Sequence, residues 1–224
     1  MKNKRGIIAA TWILAVLPVV LCLAAFPFLP ERIPMHWDVN GTVSYQGKGG
    51  LLGMAALSPL LAAMLFALPK IDPKKNNYRR FSKYYSFFGI FLMAFLLACD
   101  LLVLSESFFP GRISVGTAVQ ALVGVLFVFL GNMMPKIKSN FFMGLKNPWT
   151  LSSPDVWNRA HRLAGALLFL TGLAVLLTCF WLPPAFAFWL VGGMTVLTVL
   201  VPTVLSYVWY QRLSRQPNEK EEEN

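Results

Sequence analysis

Charge is scarce in this chain. Only 13% of its 224 residues are Asp, Glu, Lys or Arg, while 56% are hydrophobic. A water-soluble domain of this length needs far more charge to cover its surface, so a soluble fold is excluded. Acids are rarer still, ten against twenty Lys and Arg. Histidine occurs twice, as His36 and His161. Cys22, Cys99 and Cys179 each fall inside an apolar run, where cysteine behaves as a small apolar residue. Three such cysteines give neither a disulfide framework nor the spacing of a metal site. No metal or cofactor is expected from this inventory.

What the chain does have is long apolar runs. Six of them, near Ile7–Phe28, Gly50–Leu68, Tyr85–Leu104, Ile113–Met134, Leu163–Leu182 and Ala185–Trp209, can cross a hydrocarbon core of roughly 30 Å. Backbone polar groups in lipid must be satisfied within a segment, so the spans are helices and the fold class is all-α, polytopic. The first run is too long for the core of a secretory signal and reads as a retained helix.

The excess of positive charge is a topology signal. With the N-terminus inside, the inner connections hold Lys2, Lys4, Arg5, all six basic residues from Lys70 to Lys83, then Lys136, Lys138, Lys146, Arg159, Arg162, and finally Arg212, Arg215 and Lys220. Only Arg32, Lys48 and Arg112 remain outside. Both termini are therefore expected in the cytoplasm, and the basic character requires no nucleic acid. Three regions follow: residues 1–84, a two-helix region with an outer loop at 29–49; residues 85–210, a four-helix region with an inner loop at 135–162; and 211–224, a charged tail expected to be disordered. Gly49 and Gly53 suggest a close helix approach at the start of the second span.

The outer loop contains Asn40-Gly41 between Val39 and Thr42, a strong two-residue hairpin signal. Strand alternation places His36, Asp38 and Asn40 on one face, with Trp37 and Val39 on the other. One imidazole and one carboxylate are too few for a closed zinc site, so the hairpin reads as a lid whose Trp37 lies at the membrane interface. Asp100 is an intramembrane carboxylate, a functional candidate by default, and Gln120 at similar depth is its expected hydrogen-bond partner. Further intramembrane acids, which a proton or ion relay requires, are missing.

In the inner loop, Ser152-Ser153-Pro154-Asp155 is a helix start: a serine caps, proline opens the first turn, and the acid faces the positive dipole end. Trp157 and His161 then share a stripe. Asp155 and His161 lie on different sides of that helix, which rules out a serine-hydrolase arrangement with Ser153. No enzyme activity is expected. The basic first inner loop reads as an anchor to an anionic membrane surface.

Gly131-Asn132-x-x-Pro135-Lys136-x-Lys138-x-Asn140-x-x-x-Gly144, followed by Pro148-Trp149-Thr150-Leu151-Ser152-Ser153 and Val156-Trp157-x-x-x-His161-Arg162-x-x-Gly165, resembles the signature of the SdpI-type immunity protein family. Leu29-Pro30-Glu31-Arg32-Ile33-Pro34-x-His36-Trp37 through Gly41 to Lys48 is similar to the uncharacterised two-helix domain that often precedes it. The chain departs from the family pattern at Ser139, Lys146-Asn147 and Ala160. The resemblance implies a bacterial cytoplasmic-membrane protein that protects its host from a secreted, membrane-active peptide toxin. It also implies signalling of toxin presence to a small cytoplasmic repressor. Residues expected to bind a ligand or partner are Asn140, Pro148, Trp149, Thr150, Ser153, Trp157, His161 and Arg162 on the inner side, and His36, Trp37 and Asp38 on the outer side. The alternatives are a small transporter or a membrane-bound regulator without immunity activity.

Overall fold

The computed structural model describes residues 2–38 and 42–222. Helical segments at 5–28, 49–71, 75–108, 115–136, 154–178 and 185–215 are long and apolar enough to cross a bilayer. This is a multi-pass membrane protein with six spans, in the order expected.

The first unit joins three helices and a hairpin. Helix α1 (Lys2–Ala25) leads into β1 (Arg32–Trp37) and β2 (Val43–Gly47), and α2 (Gly49–Ile71) begins directly after β2. A single turn, α3 (Lys75–Tyr78), precedes α4 (Ser82–Phe108). Helices α1, α2 and α4 pack around Ala15, Ala62, Leu65 and Met93 at mid-depth. Toward the hairpin end the core becomes Cys22, Leu51, Ala55, Val103 and Leu104, and Ile33 of β1 plugs into it. The hairpin is thus seated on the helix ends. Its strands pair antiparallel, Trp37 opposite Val43 and Arg32 opposite Gly47. A register irregularity between Pro34 and His36 breaks strict alternation, so Ile33 and Pro34 are both buried. His36 and Asp38 are nonetheless exposed together, with Trp37 half-buried. The Asn40-Gly41 turn lies outside the described residues. Asp38 Oδ1 accepts the Thr42 amide at 2.7 Å and closes the strands below that turn.

Proline is tolerated inside these helices where its lost hydrogen bond is replaced. Pro69 has no N–H for the carbonyl of Leu65, and the Tyr85 hydroxyl of α4 donates to that carbonyl at 2.6 Å. The substitution ties α2 to α4 near their basic ends.

The second unit comprises α5 (Val115–Met133), the short α6 (Pro148–Ser152), α7 (Pro154–Thr178) and α8 (Pro184–Glu222). Helices α5 and α7 meet backbone to backbone. A Cβ on Gly131 would lie 2.7 Å from the Gly165 carbonyl oxygen, and one on Gly172 would lie 2.6 Å from that of Gly124. Only glycine permits this approach. Gly49 and Gly53, by contrast, have nothing near the position a Cβ would take. The close approach expected there does not form; the hairpin occupies that end of α2 instead.

Two boundaries shift as well. The third span is helical from Ser82, with α3 turned in just before it. Helix α8 runs past the end of the sixth apolar run at Trp209.

Candidate functional site

The Lys70–Lys83 and 135–162 segments lie at the same end of the bundle, opposite the hairpin, and join into one polar junction. Asp72, the first residue after α2, is 1% exposed. Its Oδ1 accepts the Lys74 amide at 2.7 Å. Its Oδ2 accepts the Tyr78 hydroxyl and the Phe141 amide, both at 3.0 Å. One carboxylate therefore closes its own turn and grips a loop 69 residues away. Lys74 Nζ reaches the same loop, donating to Ser139 Oγ and to the Leu151 carbonyl, both at 2.8 Å. Asn77 Nδ2 donates to the Ser139 carbonyl at 2.7 Å.

Asn140 shapes the loop from inside. It is fully buried. Its Oδ1 accepts the Phe142 and Met143 amides at 2.9 and 2.6 Å, and its Nδ2 donates to the Lys138 and Met143 carbonyls at 2.9 and 3.2 Å. An amide offers two acceptor sites and two donors, and all four are used. No smaller or purely acceptor side chain satisfies this set.

Trp157 and His161, one turn apart on α7, stack with ring centroids 3.9 Å apart. Trp157 Nε1 donates to the Ile137 carbonyl at 2.8 Å. His161 Nε2 accepts the Leu145 amide at 3.2 Å, while Nδ1 lies 2.9 Å from the Trp157 carbonyl. A nitrogen that accepts from an amide carries no proton, so the proton sits on Nδ1 and the ring is neutral. Gly144 turns the chain into this position with φ +97°, and a Cβ there would fall on His161 Nε2. Two reasons, backbone conformation and space, thus demand glycine.

The last piece fixes α6. Asn147 and Thr150 form a capping box, each side chain bonding the other's amide at 3.1 or 2.9 Å. Thr150 Oγ1 also donates to the Leu145 carbonyl at 2.9 Å, so both sides of Leu145 are held by residues of the signature. Asn147 Nδ2 donates to Ser206 Oγ of α8 at 3.0 Å, and Trp149 meets Tyr207 edge-on at 5.2 Å. Ser153 caps α7 as expected, accepting from Val156.

Of the inner residues expected to bind a partner, Asn140, Thr150, Trp157 and His161 are turned fully inward. Trp149 and Ser153 are half-buried, and Pro148 and Arg162 are exposed. The first four build the loop's shape. Asp72, Lys74 and Tyr78 were not among the expected site residues. Asp72-Pro73, the one acid in a run of six bases, was the available signal.

Asp100 is buried between α4 and its neighbours at 2% exposure, yet its Oδ1 has no hydrogen-bond partner among the described residues. The expected bond from Gln120 is not made: neither amide atom of Gln120 has a partner there. The α4–α5 turn is held instead by Glu106, whose Oε1 accepts the Gly111 amide at 2.7 Å. No cluster of three His, Cys, Asp or Glu able to hold a metal occurs among the described residues. The chemistry of the junction is hydrogen-bond saturation, which fixes a loop conformation.

Comparison with known proteins adds three findings. Residues 136–209 match the SdpI/YfhL protein family, and residues 13–58 match a domain of unknown function, DUF1648. The chain is 21% identical over 211 residues to Immunity protein SdpI of Bacillus subtilis (strain 168), covering 94% of this chain and 98% of that protein. No solved structure matches.

Proposed function

We propose that this chain, whose residues 136–209 match the SdpI/YfhL protein family, is a bacterial immunity protein giving resistance to a secreted, membrane-active peptide toxin. The observation that carries this reading is the end-to-end similarity to Immunity protein SdpI, which spans both units and both connecting loops. The hairpin end faces outward in this reading, because the opposite end concentrates Lys and Arg. His36, Trp37 and Asp38 then meet the toxin, and a small cytoplasmic repressor is the partner of the basic end.

A physical route connects the two. Helix α2 starts two residues after β2 and ends one residue before Asp72. Its 23 residues span about 35 Å without interruption. Movement of the seated hairpin is passed along α2 to the carboxylate that holds Phe141. Release of that hold changes the outline of the 137–153 loop, the surface offered to a repressor.

The test is survival of a toxin-sensitive bacterium expressing the wild type, a His36→Ala/Trp37→Ala variant, or Asp72→Asn, matched for membrane level. The wild type is expected to protect, the hairpin variant to lose protection, and Asp72→Asn to alter repressor release. Absence of protection by the wild type across several peptide toxins overturns immunity and favours a regulatory or transport role. Full activity of both variants leaves immunity standing and removes the hairpin-to-loop route.

A further inference from the structure

A groove of about 420 Å³ opens on the basic end of the α5–α7 seam, beside the junction and separate from it. Its walls are Gly131, Pro135, Gly165 and Ala166, and its mouth carries Lys136 and Arg162. It runs along the seam where Gly131 and Gly165 bring the two helices into backbone contact. Arg162 is exposed and makes no hydrogen bond or ion pair with any described residue. Lys136 is positioned, its Nζ bonded to Asn132 Oδ1 at 2.8 Å and 5.3 Å from the Tyr84 ring centre. No acidic residue lines the groove.

From Arg162 the groove continues down α7 to Phe169 and Leu170, which are 38% and 59% exposed. Eight residues of helix are about 12 Å. Beyond them Leu173 and Leu177 extend an exposed apolar stripe along the same helix. Two cations at the membrane surface above an apolar crease that runs into the hydrocarbon match one kind of molecule. The phosphate of a lipid headgroup meets the cations, its glycerol fills the crease beside the glycines, and its acyl chains follow the leucine stripe. A soluble phosphate has no use for the apolar part, and an apolar helix has none for the unpaired guanidinium.

We propose that the crease between α5 and α7 is a binding site for an anionic glycerophospholipid, with Arg162 and Lys136 holding its phosphate. Bound there, the lipid caps the seam at the point where the 135–162 loop leaves α5 and re-enters α7.

Native mass spectrometry of the full-length protein in neutral detergent tests this, with dioleoyl-phosphatidylglycerol and dioleoyl-phosphatidylcholine titrated separately. Phosphatidylglycerol should bind at least about tenfold tighter, given roughly fivefold for each basic residue near an anionic headgroup. The Arg162→Gln/Lys136→Gln variant should bind both lipids alike. Ala166→Trp, which fills the crease but keeps both cations, should also lose tight phosphatidylglycerol binding. Circular dichroism and a melting curve identify any variant that fails to fold. Equal affinity of the wild type for the two lipids overturns the proposal. So does a phosphatidylglycerol preference that survives both variants, since it then belongs to the other basic loops. Displacement of the lipid by equimolar inorganic phosphate overturns it too, as it reveals a site for a free anion.

Discussion

The two units of this protein solve the same packing problem in different ways. Helices α1, α2 and α4 meet through side chains, among them Ala15, Ala62, Leu65 and Met93, with no described glycine pressed against a neighbouring backbone. Buried polar atoms without a partner among the described residues occur in both units: on Ser58, Asp100 and Glu106 in the first, on Gln120 and Thr198 in the second. Helices α5 and α7 meet through glycine, and the loop at their end leaves Asp72, Asn140 and His161 fully engaged. Lipid supplies no hydrophobic drive between helices, so close van der Waals contact and hydrogen bonds decide which pairs are fixed. The second unit is the fixed frame. The first, with its seated hairpin, has no such glycine seam.

The largest effect expected from this contrast comes from the glycines. Gly131→Leu drives a side chain into the α7 backbone and should destabilise by more than about 3 kcal/mol, or abolish the folded monomer on gel filtration. Gly53→Leu meets open space and should stay within about 0.5 kcal/mol of wild type. Equal effects at the two sites would break the distinction between the units.

A smaller difference, opposite in sign, separates two of the buried acids, Asp72 and Asp100. Asp72 accepts three donors, so Asp72→Asn turns an amide N–H toward at least one of them and should cost about 1–3 kcal/mol by thermal unfolding. The loop at 138–147 should also become more sensitive to protease. Asp100→Asn replaces a buried carboxylate whose Oδ1 has no partner among the described residues, and should leave the melting temperature unchanged or raise it. A loss at Asp100 equal to that at Asp72 would show that Asp100 is bonded in the folded protein. The mildest case is Trp157→Phe, which keeps the ring stack and loses the bond to Ile137. About 1 kcal/mol of stability is expected to go with it.

Much of this architecture was legible in the sequence. Apolar length set the six spans, the outer segment read as a hairpin, and Ser153-Pro154 marked the start of α7, because each of these is a local signal. What escaped was pairwise. Gly124, Gly131, Gly165 and Gly172 repeat at matched intervals on two helices, but a glycine says nothing about its partner until both backbones are placed. Gly49 and Gly53 have the more familiar spacing and touch nothing. Asp100 and Gln120 lie at similar depth without facing each other in a bond, since depth fixes height and leaves rotation about the helix axis open. Asp72 was hidden by its basic neighbours, and its role depends on an amide 69 positions later. The signature residues showed where the loop mattered but not that Asn140, Trp157 and His161 face inward.

The span of those bonds has a consequence for how the protein is made. Lys74 holds the carbonyl of a residue 77 positions downstream, and Asn147 holds Ser206, 59 positions downstream on the final helix. Helices enter the membrane in order as the chain emerges, so Asn147 meets its partner only once α8 has been made as far as Ser206. The α6 end of the loop is therefore the last part to close, and its closure registers that the sixth span has been delivered. A chain truncated before Ser206 can hold five spans in the bilayer and still present an unlatched loop to whatever inspects it from the basic side.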